Sequence, residues 1–351
     1  MSRFLNSKYE ALEPYTPGEQ PKVQNLIKLN TNESPFPPSP KVLEMINTAE
    51  ISKLNLYPDP EAKMLVSAIS KQYNICESKI ILGNGSDELL AFSFMAFQNE
   101  SQTICFPDIS YGFYKVYAQI YGANAKIIPL NGELQVVASD YFNAPGTIVI
   151  ANPNPPTGTT LSLVEIENIL KANKANLVII DEAYVSFGAE SSVPLIDKYD
   201  NLLVIQTFSK DRNLAGARIG LAFGQVEIIK DLNKMKYSFN PYNLNRLSIL
   251  AGTAAVEDNE YFESCTEKIK KTRQDFVANM EALGFYVIPS LANFVFAKHD
   301  KISGAEYYKK LRDRNILVRH FEKERIKDYV RITIGTQEQM NELIIATKQL
   351  V

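Results

Sequence analysis

A lysine that follows an apolar strand is placed to act as an amine nucleophile. Thr207-Phe208-Ser209-Lys210 closes the apolar run Leu202 to Phe208, and partial burial there lowers an ammonium pKa and frees its lone pair. Taken alone, Lys210 could equally be a surface residue capping a strand. A second group changes that reading. Leu177-Val178-Ile179-Ile180-Asp181-Glu182-Ala183-Tyr184 sets a carboxylate at the end of another apolar run, where an unpaired charge is costly. Asp181 therefore needs a cationic partner, or serves as a helix N-cap.

Two further turns follow strand-like runs. Asn152-Pro153-Asn154-Pro155-Pro156-Thr157-Gly158 comes after Thr147 to Ala151; its prolines stiffen the chain and its amides can bond a planar ligand. Gly83-Asn84-Gly85-Ser86-Asp87-Glu88 opens a helix, and backbone N–H groups at a helix start can cradle a phosphate. As a dinucleotide fingerprint the segment fails, because Glu88 stands where the third glycine belongs.

These groups need a scaffold that brings strand ends together. From about residue 41 short apolar runs alternate with helical patterns: Lys79 to Leu82 then Asp87 to Phe97, Ser101 to Phe106 then Tyr111 to Tyr121, Thr147 to Ala151 then Leu163 to Ala172. Leu177 to Ile180, Leu202 to Phe208 and Arg218 to Phe223 follow. Such runs predict an α/β fold with a mainly parallel sheet covered on both faces, whose ligands bind beyond the carboxyl ends of the strands. Beyond about residue 245 the pattern changes to one helical stretch from Leu247 to Leu283, then short strands and helices. We expect three parts: a Pro-rich arm over 1–40 packing on the small domain, a large α/β domain over 41–245, and a smaller α+β domain over 246–351.

Composition narrows the partners. The 351 residues carry 37 Lys and Arg against 40 Asp and Glu, a balance that advertises neither nucleic acid nor anionic lipid. Small molecules are the expected partners. The first residues lack an apolar segment of signal-peptide length, and the greasiest run, Leu89 to Phe97, is too short to span a membrane. A cytoplasmic protein is expected. Three scattered cysteines, Cys76, Cys105 and Cys265, form neither a disulfide framework nor a metal knuckle, and His299 and His320 suggest no metal site.

The ordered motifs resemble those of the aspartate-aminotransferase-like, fold-type I pyridoxal-phosphate enzymes, and within them the histidinol-phosphate aminotransferase family. They are KLNTNESP at 28 to 35, YPDP at 57 to 60, GNGSDELL at 83 to 90, SYGFYKVYA at 110 to 118, NPNPPTG at 152 to 158, DEAY at 181 to 184, TFSKDRNLAGARIG at 207 to 220, PYNLNRL at 241 to 247, ANF at 292 to 294 and VRITIGT at 330 to 336. The resemblance spans nearly the whole chain.

That resemblance implies the roles that follow. Lys210 forms the Schiff base with pyridoxal 5'-phosphate and shuttles the substrate proton. Asp181 pairs with the pyridine nitrogen, the cationic partner its burial demands. Tyr184 and an asparagine of the Pro-rich turn bond the phenolate oxygen, and Tyr111 stacks on the ring. Ser86, the backbone of Asp87, Thr207, Ser209 and Arg218 hold the phosphate, with Glu88 beside them at the cofactor, joined by Tyr57 from a second subunit of a homodimer. Arg319 and Arg331, with Tyr15 and Asn30, take the substrate's anionic group.

The implied reaction interconverts imidazole acetol phosphate and L-glutamate with L-histidinol phosphate and 2-oxoglutarate, by a ping-pong route. An aromatic amino-acid aminotransferase, a threonine-phosphate decarboxylase or a non-catalytic regulatory module would share the fold. Two departures stand out. Pro155 replaces the asparagine usual before Pro-Thr-Gly, leaving Asn154 as the substitute contact, and Asp211-Arg212 follow the lysine where small or aromatic residues are usual.

Overall fold

The structure, a computed structural model, describes residues 5–22, 24–97 and 103–351. Ser101 and Gln102, expected to start a strand, lie outside the described residues.

A seven-stranded sheet forms the first half, in the order Ile80–Asn84, Ile219–Gly224, Leu202–Thr207, Val178–Asp181, Gly146–Ala151, Thr103–Pro107, Asn124–Ile128. The last five are mutually parallel, while Ile219–Gly224 runs antiparallel to both of its neighbours. Alternation along the central strands explains their continuous apolarity. Val178, Ile180, Leu202 and Val204 enter one core with the helices Lys63–Tyr73 and Leu163–Ala172. Ile179, Leu203 and Ile205 enter the opposite core with the helices Gly85–Ala96, Phe113–Tyr121 and Val226–Phe239. Each face buries every second side chain, so both must be apolar.

The second sheet is antiparallel, in the order Arg319–His320, Val330–Thr333, Phe294–His299, Phe285–Ile288. Its core gathers Phe294, Val295 and Ile332 with side chains of the helices Asn259–Ala282, Gly304–Arg312 and Gln337–Lys348. The single helix expected from Leu247 to Leu283 is two, Arg246–Glu257 and Asn259–Ala282, interrupted at Asp258. The first of them contributes Ile249, Ala251 and Val256 to the core of the large sheet.

The N-terminal segment reaches both halves. Ile27–Lys28 pairs in parallel with Ile316–Leu317, and Leu29 is buried in the second core. Tyr15 stacks on Phe113 at 4.3 Å between centroids, against the first half. Between the halves, Ile109, Leu130 and Leu134 meet Ile288, Phe296 and Ile326 in a small apolar cluster. Arg325 ties the same seam, donating to Asp108 Oδ2 at 2.7 Å and to the carbonyls of Leu130 and Asn131 at 2.9 Å.

Candidate active site

The strands Val178–Asp181 and Leu202–Thr207 are parallel neighbours, so the residues following them emerge side by side at one sheet edge. A cavity of about 440 Å3 opens there. Lys210 and Asp181 both line it, with Ser86, Asp87, Thr207, Ser209 and Arg218. Tyr111 and Tyr184 line it from the same half, Tyr15 and Asn30 from the N-terminal segment, and Arg319 and Arg331 from the second sheet.

Lys210 donates from Nζ to the Thr31 carbonyl at 3.1 Å. Burial lowers its pKa to about 8, and Arg331 adds to the effect while Glu33 and Asp87 oppose it. A fraction of the amine is thus free at neutral pH, as a nucleophile or base requires. Asp181 moves the opposite way. Burial raises its carboxyl to about 6, against donation from Tyr114 and the Ala183 N–H. The distances are 2.7 Å from Tyr114 Oη to Oδ2 and 3.2 Å from Ala183 N to Oδ1.

At the start of the helix Gly85–Ala96 the chain forms a polar cup. Arg218 Nη2 lies 3.0 Å from Asp87 Oδ2, and Nη1 donates to Ser209 Oγ at 3.3 Å. Thr207 Oγ1 donates to the same Ser209 oxygen at 3.0 Å. The Asp87 side chain, and not its backbone alone, belongs to the site, because Tyr111 Oη donates to its other oxygen at 2.6 Å. Gly85 adopts φ +75°, and a Cβ there would stand 2.3 Å from Arg218 Nη2. Only glycine leaves that cup open.

Across the cavity Arg331 donates to the Asn30 carbonyl at 2.8 Å and Arg319 to the Thr16 carbonyl at 3.3 Å. Neither pairs with Glu322 or Glu324; among the described residues Glu324 pairs with Lys327 at 2.6 Å. Arg331 Nε and Asn30 Oδ1 are buried without a hydrogen-bond partner. Buried polar atoms are rarely left so, and both residues line the cavity.

Two expected residues lie elsewhere, and Tyr57, expected at a second subunit's site, faces outward. Glu88 does not line the cavity; its Oε2 accepts from Asn84 N at 2.7 Å and Asn243 Nδ2 at 2.5 Å, bracing the turn from behind. Asn154 is buried behind the wall, because its turn closes on itself through Asn154 N to Thr159 O and Gly158 N to Asn154 O. Its Nδ2 is taken by the Ile109 carbonyl at 2.9 Å, and Pro155 lines the cavity in its place. Tyr57 is 79% exposed and stacked on Tyr242, outside the cavity of its own chain.

Sequence reasoning missed Tyr114 and Asn32. Asn32 Nδ2 donates to Tyr184 Oη at 3.0 Å, and its Oδ1 accepts from Thr333 Oγ1 at 3.0 Å, tying the Tyr184 phenol to the second sheet. The run KLNTNESP contains Asn32, but nothing in its spacing separates its role from that of Asn30.

The donor set fits pyridoxal phosphate: an amine of lowered pKa, a buried carboxylate with acceptor capacity to spare, and a glycine-opened cup with an arginine and two hydroxyls. The profile of the family described as "Aminotransferase class I and II" matches residues 24–346. The chain belongs to that family, and it is a pyridoxal-phosphate-dependent aminotransferase. Within the family it is 48% identical to a histidinol-phosphate aminotransferase of Clostridium botulinum, strain Okra / Type B1, over 100% of this chain and 99% of that protein. It is 49% identical to one of Acinetobacter baumannii, strain AB307-0294, over 99% and 97%. The solved histidinol-phosphate aminotransferase of Clostridium acetobutylicum superposes with a TM-score of 0.85 at 26% identity, covering 93% of this chain and 99% of that one. The fold is shared with the Sinorhizobium meliloti enzyme solved in complex with pyridoxal-5'-phosphate, at a TM-score of 0.81 and 24% identity over 93% and 92%.

Proposed function

We propose that this chain interconverts imidazole acetol phosphate plus L-glutamate with L-histidinol phosphate plus 2-oxoglutarate, by a ping-pong route. The observation that carries the substrate assignment is the pair Arg319 and Arg331, which reach the cavity without a carboxylate partner among the described residues. Two forked cations suit a phosphate in one half-reaction and a carboxylate in the other. Relatives bearing the histidinol-phosphate name at 48–49% identity support the choice.

Bound pyridoxal phosphate supplies an electron-withdrawing ring that stabilises negative charge at the substrate α-carbon. Lys210 would hold the cofactor through its amine, and the free amine would take the substrate α-proton, a task matched to a pKa of about 8. Asp181 keeps the ring nitrogen protonated by offering a carboxylate on the cavity wall. Arg218, Ser86, Thr207 and Ser209 hold the phosphate at the positive end of the helix Gly85–Ala96. Tyr184 orients the ring oxygen, with Asn32 fixing its phenol, while Tyr15 and Asn30 close the wall near the arginines.

We also propose a homodimer with a shared site, in the cytoplasm. Leu54, Leu56, Tyr57 and Tyr242 are exposed, and apolar groups of this size suit an interface that would carry Tyr57 toward a neighbouring cup. No described helix is long and apolar enough to cross a membrane. For the division into an arm over 1–40, a large domain from 41 and a small C-terminal domain, we propose Asp258 as the last boundary, since Arg246–Glu257 packs with the large sheet.

A substrate panel tests the assignment. With 2-oxoglutarate as acceptor, histidinol phosphate should show a higher kcat/KM than phenylalanine or tyrosine, and glutamate alone should convert the bound cofactor to its amine form. Preference for the aromatic amino acids would refute the substrate. Loss of CO2 from threonine phosphate would make the chain a decarboxylase, and failure to turn over any donor would leave a cofactor-binding module.

A further inference from the structure

Asp181 is the end of a short chain of contacts. Tyr114, on the helix Phe113–Tyr121, is fully buried and does not line the cavity. Its hydroxyl donates to Asp181 Oδ2 at 2.7 Å. Its ring meets that of Tyr111 edge-on, with centroids 5.7 Å apart at 85°, and Tyr111 is a wall of the cavity. A side chain that touches neither substrate nor cofactor thus contacts both a carboxylate and an aromatic group that face them.

We propose that Tyr114 is a positioning residue, which keeps Asp181 ionised and aims its remaining lone pairs at the nitrogen of the cofactor ring. A carboxylate offers about four acceptor positions. Two are taken by donors from the chain, Tyr114 Oη and Ala183 N, leaving the others for a ligand N–H. The remaining surroundings give little help to the charge. Asp87 faces Asp181 as a like charge and raises its pKa, while Tyr117 and Tyr184 lie within its field as neutral phenols held protonated by burial. Glu182 points away, accepting from Ser191, Ser192 and Gln206. Tyr114 is therefore the one side-chain donor to this carboxylate among the described residues, and without it burial would press the carboxyl further toward its neutral form. A neutral carboxyl forms no ion pair with a protonated ring nitrogen and holds it more weakly.

The inference rests on Asp181 as partner of that nitrogen, and the test separates the two. Apoprotein is titrated with pyridoxal phosphate, and the dissociation constant is measured by absorbance from mildly acid to mildly alkaline pH for the parent, Tyr114→Phe, Asp181→Asn and the double variant. Tyr117→Phe, which loses a buried hydroxyl donating to the Asp87 carbonyl, is the control. Y114F should bind roughly tenfold or more weakly near neutrality, with the acid limb of binding moved to higher pH. It should add nothing on top of D181N, and Y117F should leave the limb in place. If Y114F gave an unstable apoprotein, 3-fluorotyrosine at position 114, a stronger donor, should move the limb to lower pH. A Y114F or fluorinated protein with the parental limb, beside a weakened D181N, would overturn the role of Tyr114. Parental binding by D181N would overturn the reading of Asp181 itself.

Discussion

Replacing Asp181 by asparagine should stabilise the empty protein while removing its function. Burial raises the carboxyl from 3.8 to about 6, so the folded chain bears an ionised group it would rather protonate. At about 1.4 kcal/mol per pH unit that difference costs about 3 kcal/mol above pH 6. Asparagine removes the cost but has one acceptor oxygen for two donors, Tyr114 Oη and Ala183 N, and leaving one unsatisfied costs about 1 kcal/mol. The net gain is about 2 kcal/mol.

The sign follows from linkage. The folded pKa lies above the unfolded one, so the parent is relatively most stable below 3.8 and loses that stability as pH rises through about 6. The advantage of D181N should therefore vanish in acid, grow between these two values and level off above. Thermal melts of both apoproteins over that interval read it directly, as a higher melting temperature for D181N at neutral pH. The same variant should lose most cofactor affinity and transamination. An apoprotein no more stable than the parent at neutral pH, or a gap that widens toward acid, would refute the reasoning.

Gly85→Ala places a Cβ 2.3 Å from Arg218 Nη2 at φ +75°; displacing the guanidinium and straining the backbone should weaken cofactor binding roughly tenfold or more, measured by titration of the apoprotein. Arg331→Lys keeps a charge but loses the planar fork whose Nε is unpartnered; KM for the phosphorylated substrate should rise roughly tenfold or more, while the cofactor spectrum stays as in the parent. Capture of the cofactor aldehyde by apoprotein needs the free Lys210 amine, so its rate constant should climb with pH through about 8 and then level off, a profile that stopped-flow absorbance resolves.

Much of this was legible beforehand because each element carries its own chemistry. Lys210 and Asp181 end apolar runs that can only be buried strands, and parallel neighbours bring strand ends together whatever the loops do. Arg218 is legible through its place after the lysine in the resemblance. What escaped depends on long-range packing. Tyr114 sits in a helix full of aromatic residues, and only its packing into the core that Ile179 also enters brings its hydroxyl to Asp181. Pro155 cannot donate, which favours Asn154 from the sequence, yet the Ile109 carbonyl holds the Asn154 amide behind the cavity wall. The break at Asp258 hid because apolar spacing continues on both sides while the helices serve different cores. The strand Asn124–Ile128 was not foreseen; only Ile128 of it is buried, so its sequence has none of the apolar continuity of the inner strands.

The central claim is that one amine, Lys210, carries the cofactor opposite the Asp181 carboxylate. Incubating the protein with pyridoxal phosphate, reducing with borohydride and mapping the modified peptide by mass spectrometry tests it most directly. The account predicts a single stoichiometric adduct on Lys210, absent from K210A. An adduct on another lysine, or no stable adduct at all, would contradict it.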